Sequence, residues 1–182
     1  MSKVINQDSQ ETFFISTVTM SFNPMEDRVV MDSSDKNEKV ERLWLSRRLL
    51  DRLIPSLTDQ LEVKSSNEIP TELEQSLAQE KAELDKQEAE AVKMKIKNPS
   101  WLVTSIQIRR SESTFQLVFL GENTEVSNIT KSKAKFDLAT TNLRQWLNAV
   151  YKIYLKAEWE TKAFPPWLKE SSSKSNKPIL LN

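Results

Sequence analysis

The amino-acid sequence predicts an α+β protein, and three of its features support this prediction. Runs of alternating apolar residues occur in two groups of three, and each group is followed by a segment with amphipathic-helix spacing. A charged segment without glycine or proline separates the two groups. We therefore expect two β-β-β-α halves that form a mostly antiparallel sheet with amphipathic helices on one face, joined by a long charged helix.

The first half is expected to span residues 1–63 and to begin with a β-hairpin. Residues 12–22 are rich in β-branched and aromatic side chains, which favour strands, and Asn23-Pro24 ends the run. Residues 28–31 continue the pattern after a polar turn. Two such runs separated by a short polar segment predict a pair of antiparallel strands.

A third strand and a helix complete this half. Residues 40–45 predict a strand that places its leucines on one face and Trp44 on the other. Ser46 is a suitable N-cap for the helix that follows. The apolar positions of this helix are Leu50, Leu53, Ile54, Leu57 and Leu61. Pro55 falls inside the pattern and predicts a kink or a break, because proline removes a backbone donor and clashes with the preceding turn.

Residues 64–98 are expected to form a linker and the charged helix. The linker is predicted over residues 64–70, and residues 71–97 are dominated by strong helix formers. Thr71 and Glu74 have the spacing of a capping box. The apolar residues of this segment form only a thin stripe, so we expect the helix to be mostly exposed to solvent.

The second half is expected to span residues 99–160, and residues 161–182 are predicted to be a disordered tail. Strands are predicted over residues 101–108, 115–120 and 133–138, followed by a helix over residues 140–159. Residues 43–57 align with residues 136–150, with apolar positions matching apolar positions. This weak internal repeat has two explanations, common origin and shared periodicity, and the sequence does not decide between them.

Composition excludes several kinds of chemistry. The chain has no cysteine and no histidine, which rules out thiolate nucleophiles, disulfides and imidazole bases, and a single glycine cannot build a phosphate-binding loop. A Ser–Lys pair such as Ser132-Lys133 is the remaining common nucleophile, but no motif surrounds it. We therefore predict a non-enzymatic protein with no cofactor and no metal site.

Surplus apolar surface predicts a binding partner. The uncovered face of the sheet is expected to expose large apolar side chains: Phe13, Ile15, Val30, Trp44, Trp101 and Val103. The last helix carries a second apolar stripe formed by Tyr151, Leu155 and Trp159, which either a partner or the chain itself covers, through the middle helix or through Phe164 and Trp167. The candidate partner-binding residues are Trp44, Trp101, Tyr151, Leu155 and Trp159.

The predicted function is protein interaction or assembly, by self-association as a homodimer or by binding another protein. The alternative is a single-stranded nucleic-acid-binding protein that uses the sheet face and clusters of basic residues. The candidate nucleic-acid-binding residues are Arg42, Arg47, Arg48, Arg52, Arg109 and Arg110. Tandem strand-and-helix repeats resemble the general layout of the Whirly and PUR single-strand binders, whereas the net charge of zero argues against this alternative.

The expected location is cytoplasmic, with no membrane contact. No stretch of the sequence approaches the ~18 consecutive apolar residues of a spanning helix. The polar N-terminal residues do not resemble a secretory signal.

Overall fold

The computed structural model describes residues 11–62, 71–123 and 130–174, and this part of the chain has mixed α and β structure with one seven-stranded sheet and four helices. In chain order the elements are β1 (Phe13–Ile15), β2 (Thr17–Asn23), β3 (Arg28–Ser34), β4 (Val40–Ser46), α1 (Arg47–Glu62), α2 (Thr71–Leu84), β5 (Ser100–Arg110), β6 (Thr114–Asn123), β7 (Thr130–Ala139), α3 (Thr140–Lys156) and α4 (Pro166–Lys174). The protein is thus of the predicted α+β class. The predicted linker over residues 64–70 lies outside the described residues.

The strands are ordered β1-β7-β6-β5-β4-β3-β2 across the sheet. The β1–β7 and β4–β5 pairings are parallel, and the other four are antiparallel. The two edge strands, β1 and β2, are consecutive in the chain and are joined by Ser16 alone. Because one residue connects the two edges, the sheet has to curl until they lie next to each other.

The single strand predicted over residues 12–22 is therefore wrong. Phe13 is opposite Ala134 in β7, whereas Thr17 is opposite Ser34 in β3. The backbone N–H of Ser16 donates to the carbonyl of Ser34 at 2.8 Å, which directs the chain away from β7 and onto β3. The core-facing alternation shifts by one residue at this change of partner, from Phe13 and Ile15 to Val18 and Met20.

One face of the sheet packs against helices and contains the core. Helix α1 contacts β4 and β5, and α3 contacts β2, β6 and β7. Leu43 and Leu45 are fully buried on this helix-covered face, and Trp44 lies on the opposite, outer face, as predicted. There Trp44 is half-buried rather than exposed as expected.

A β-bulge in β5 places Trp101 and Val103 in the core. The register between β5 and β6 shifts between Val103 and Ser105, so that one extra residue interrupts the alternation. As a result, Trp101 and Val103 share the helix-covered face with Ile106 and Ile108, which partly bury against the same cluster. The prediction that these two side chains lie exposed on the uncovered face is wrong for this reason.

The other residues expected on an uncovered face are also buried, apart from Trp44. Phe13 and Ile15 enter the core because β1 pairs with β7 in a register that directs them toward the helices. Val30 lies opposite Trp44 on the outer face and is nevertheless covered by its neighbours. The expected row of exposed apolar side chains on the sheet is therefore absent from the described residues.

Helix α1 continues through Pro55 without the predicted break. Ser46 caps the helix as expected, since its Oγ accepts from the backbone N–H of Leu49 at 3.3 Å. The predicted apolar stripe is buried on both sides of Pro55, from Leu50 to Leu61. Packing of this stripe against the sheet outweighs the local cost of the proline.

Helix α2 ends at Leu84, so the predicted long charged helix is wrong in its length. Residues 86–95 have no regular secondary structure, and the backbone N–H of Val92 donates to Thr19 Oγ1 at 2.9 Å. Most side chains in this segment are exposed. Val92, Met94 and Ile96 alternate instead of recurring at helical spacing, so this segment has no apolar stripe that packing could stabilise as a helix.

The predicted disordered tail is wrong for the residues that the structure describes. Trp167 and Leu168 in α4 are buried, and Trp167 Nε1 donates to Glu62 Oε1 at 2.8 Å. The helix begins at Pro166, a position that suits proline because the first helical N–H needs no partner. Residues 175–182 lie outside the described residues. No helix in the described part of the chain is long and apolar enough to cross a membrane.

Candidate functional site

The five predicted partner-binding residues do not form one surface. Trp101 is 2% exposed, and its Nε1 donates to the buried Glu41 carboxylate at 3.0 Å. Tyr151 and Trp159 are also buried, whereas Leu155 is 52% exposed. The expectation of an exposed site is therefore wrong for three of the five side chains.

The chain itself covers the apolar stripe that contains Tyr151 and Trp159, of which Tyr151 lies on α3 and Trp159 follows the end of that helix. The ring of Phe164 lies edge-on to Tyr151, with 5.0 Å between ring centroids. Trp159 packs edge-on to Tyr154, also at 5.0 Å, and its Nε1 donates to Asp27 Oδ1 at 3.0 Å. Of the two explanations that the sequence left open, coverage within the protomer holds for Tyr151 and Trp159.

The hydroxyl of Tyr154 makes a hydrogen bond of its own at this packing site. It donates to Asp51 Oδ1 at 2.8 Å. Burial, followed by this hydrogen bond, raises the pKa of Tyr154.

The six predicted nucleic-acid-binding arginines are also dispersed. Arg42 forms a bidentate pair with Asp32 at 2.7 and 2.9 Å, and this hydrogen bonding raises the pKa of Arg42. Arg110 donates to the carbonyl of Gln60 on the helix-covered side. Arg47 pairs with Asp51, one helical turn further along α1, at 3.5 Å. Exposed arginines remain at Arg48 and Arg52 on α1 and at Arg109 on β5.

Helix α2 has the reverse of the expected amphipathic arrangement. Its buried side chains are Gln75, Gln79 and Ala82. Its three leucines, Leu73, Leu77 and Leu84, are each more than half exposed. Residues two apart on a helix point in roughly opposite directions, so these leucines occupy the side opposite the buried glutamines. We call them the leucine face of α2.

Hydrogen bonds explain why the polar side of α2 is buried. Gln75 Nε2 donates to the carbonyl of Leu61 at 3.1 Å, and Gln79 Nε2 donates to the carbonyl of Arg144 at 3.0 Å. The Arg144 guanidinium donates to Gln75 Oε1 and lies 5.3 Å from the centre of the Trp167 ring. Burial lowers the pKa of Arg144 to about 10, opposed by the nearby Glu74, so the group stays charged at neutral pH.

This polar contact is incompletely satisfied. Within the described residues, Glu74 Oε2, Gln79 Oε1 and Glu83 Oε1 on α2 are buried without a hydrogen-bond partner. Such groups lose their hydration without compensation. Helix α2 is thus attached to the rest of the protein by polar interactions and directs its apolar side outward. The sequence contained the relevant signal in the leucine spacing, but a stripe this thin does not reveal which side of the helix is buried.

A row of lysines lies on the outer face of the sheet. Lys131, Lys133 and Lys135 alternate along β7, opposite Glu122, Leu120 and Val118 of β6. Lys135 Nζ is 5.5 Å from the ring centre of Phe14, which is 58% exposed. We call these three residues the lysine row.

Neither a chemical centre nor a known relative identifies the site. In the described residues, no three His, Cys, Asp or Glu side chains are placed so that they could hold a metal ion. Comparisons with protein-family models, curated proteins and solved structures gave no match. Function must therefore be inferred from the surfaces themselves.

Proposed function

We propose that this protein is a non-enzymatic interaction protein that self-associates through the leucine face of α2. The observation that supports the proposal is the outward direction of Leu73, Leu77 and Leu84 on a helix whose glutamines are buried. Complete burial of a leucine side chain stabilises a protein by about 1.5–3 kcal/mol. In the isolated protomer the three leucines are each more than half exposed, so much of this stabilisation is not realised. The lack of histidine and cysteine supports a role other than catalysis.

The spacing of the leucines favours a second copy of α2 as the partner. Leu73, Leu77, Glu80 and Leu84 recur at intervals of three and four residues, which is the spacing of a coiled-coil seam.

The test measures molar mass with and without the leucine face. At about 100 µM, light scattering of the wild-type chain is expected to give a dimer of the 21.1 kDa protomer. The double variant Leu73→Ser/Leu77→Ser removes four half-exposed leucines from each dimer, at about 1 kcal/mol each. We expect its dissociation constant to rise at least about 100-fold.

Leu155→Ser is the matched control, because Leu155 and Leu73 are both 52% exposed and lie on different helices. This control is expected to remain dimeric. Circular dichroism of the double variant is expected to match the wild type, since neither substituted leucine is in the core. A wild type that remains at protomer mass, or a double variant that stays dimeric, would overturn the proposal.

A second candidate function is binding of single-stranded nucleic acid across the outer face. Its support is the lysine row together with the exposed ring of Phe14, which combines phosphate-binding charge with a stacking surface. Asp137 in the same strand and the net charge of zero weaken this candidate. We therefore place it second.

We also propose that the chain consists of two β-β-β-α halves that share the sheet. The order β2-β3-β4-α1 has the same form as β5-β6-β7-α3. The parallel pairing of β4 with β5 joins the two groups. The cytoplasmic location predicted from the sequence likewise remains a proposal.

A further inference from the structure

A groove separates the edge strand β2 from helix α3. Its volume is about 840 Å³, and it is bordered by residues 16–22, by residues 86–89 and 91, by Phe136 and Leu138 of β7, and by α3 side chains that include Trp146 and Ala149. In the described residues β2 pairs only with β3, so the backbone groups on its other edge have no strand partner. This surface is distinct from the leucine face of α2.

Strand β2 is a suitable template for a further strand. Its seven residues contain no charged side chain and no proline, two of the features with which proteins block exposed edges. Val18, Met20 and Phe22 alternate along the strand and pack partly against the core, so the strand is held in place. An extended peptide can therefore pair with the backbone of β2 without rearranging it.

Trp146 supplies an unused hydrogen-bond donor beside the groove. Its side chain is 4% exposed, and its Nε1 is buried without a hydrogen-bond partner. An indole N–H that is buried without an acceptor has lost its hydration and gained nothing in return. A ligand that brings an oxygen to this N–H removes that cost only when it is bound.

The charges around the groove select an acidic ligand. The charged residues that line it are Lys86, Glu88, Lys152 and Lys156, so positive charge predominates. The chain's own residues 86–89 and 91 border the groove. This segment does not extend the sheet, because the backbone N–H of Val92 bonds to the Thr19 hydroxyl and not to the backbone of β2. The unpaired edge is therefore left available to another chain.

We propose that the β2–α3 groove binds an extended acidic peptide segment of a partner protein. The peptide adds a strand to β2 and provides an acceptor for Trp146 Nε1. Its acidic side chains face Lys152 and Lys156 on α3. This proposal does not depend on self-association through α2, since it concerns a different surface.

The experiment uses the full chain and a fluorescein-labelled ten-residue peptide of alternating Val and Glu, with a Val/Lys peptide as its control. Fluorescence anisotropy is expected to show saturable binding of the Val/Glu peptide and no binding of the Val/Lys peptide. The double variant Lys152→Glu/Lys156→Glu is expected to weaken binding at least 10-fold. Lys162→Glu, which reverses an exposed charge outside the groove, is expected to leave the affinity unchanged.

Two further measurements separate a binding role from a purely structural one. Trp146→Phe removes the N–H, and the smaller ring also leaves a cavity in the core, so we expect a lower unfolding midpoint together with weaker peptide binding under conditions in which the variant is folded. When the Val/Glu peptide is added, hydrogen exchange is expected to slow at those backbone amides of residues 17–23 that do not donate to β3. A purely structural role for Trp146 would lower the unfolding midpoint and leave the peptide affinity of the folded protein unaffected.

Three results would overturn the proposal. One is the absence of Val/Glu binding at about 100 µM peptide. Another is binding that leaves the β2 amides unprotected, which would mean that the peptide does not add to the sheet. The third is protection, without peptide, of the β2 amides that do not donate to β3. If that protection is independent of protein concentration, residues 85–97 cover the edge, and if it grows with concentration, a second copy does.

Discussion

Replacing Gly121 with alanine is expected to separate β5 from β6 at the bulge. A Cβ atom at this position would lie 2.1 Å from the carbonyl oxygen of Leu102 and 2.6 and 2.8 Å from two ring carbons of Trp101. Ordinary contacts of a Cβ are 3.4–4 Å, so the Leu102 carbonyl has to retreat by more than an ångström. That carbonyl belongs to the backbone of β5 and cannot move without disturbing the pairing of Val103 with Gly121.

The expected cost of Gly121→Ala combines overpacking with lost strand pairing. Overpacking of a core typically costs about 1–3 kcal/mol, and each lost backbone hydrogen bond adds about 1 kcal/mol. We therefore expect the free energy of unfolding to fall by about 3 kcal/mol. For a chain of this size, that loss lowers the melting temperature by roughly 6–12 °C.

Urea unfolding followed by tryptophan fluorescence measures this change, and the five tryptophans, including the adjacent Trp101, provide the signal. Ser105→Ala is the control, because Ser105 is exposed beside the same bulge and its substitution should cost less than about 0.5 kcal/mol. If the free energy of unfolding of Gly121→Ala lies within about 0.5 kcal/mol of the wild-type value, β5 and β6 do not approach each other closely at Gly121. The register that buries Trp101 would then also be wrong.

Two further predictions concern a buried tyrosine and the outer face. Tyr154→Phe removes the hydroxyl that donates to Asp51 at 2.8 Å and is expected to lower the free energy of unfolding by about 1–2 kcal/mol at pH 7. Because folding raises the pKa of Tyr154, this stabilisation decreases once the pH exceeds about 10, the pKa of tyrosine in the unfolded chain. The difference in the free energy of unfolding between variant and wild type, measured by urea unfolding, should therefore narrow above about pH 10. A difference that stays constant would contradict the hydrogen bond between Tyr154 and Asp51. If the outer face binds single-stranded nucleic acid, Lys133→Glu/Lys135→Glu should weaken binding of a labelled oligonucleotide at least 10-fold and reduce its salt dependence. A wild type that does not bind the oligonucleotide at low salt would eliminate this candidate function.

Most strands and helices follow from the spacing of apolar residues in the sequence. The alternation in β4 correctly separates Leu45 from Trp44, and the spacing of apolar residues in α1 correctly predicts its buried stripe. These elements pack one continuous side against the core, so a local pattern contains all the necessary information.

The errors occur where a distant contact overrides the local pattern. The bulge in β5 depends on the register of β6 and reverses the side on which Trp101 lies. Helix α4 forms because Trp167 finds a pocket and an acceptor on Glu62, a residue far away in the sequence. In α2 the buried side is determined by hydrogen bonds from Gln75 and Gln79 to carbonyls on α1 and α3. None of these partners is visible in the segment concerned.

The candidate site could be predicted only in part. The sequence indicated surplus apolar surface, and the structure contains it, but on α2 and at Leu155 rather than on the aromatic residues of the sheet. Aromatic side chains are the most valuable groups for a small core, so Phe164 and Trp159 are used within the protomer. The leucines of α2 stay outside because hydrogen bonds of Gln75 and Gln79 hold the opposite side of the helix against α1 and α3.

The pairing of β1 with β7 affects the order in which the protein assembles. Strands β2, β3 and β4 are neighbours in sequence and can form a meander as soon as they emerge from the ribosome. Phe13 and Ile15, in contrast, have to wait for residues 134–136, and contacts of such long sequence separation slow folding. We therefore expect β1 to join the sheet late in folding, and until then its two apolar side chains stay exposed to solvent.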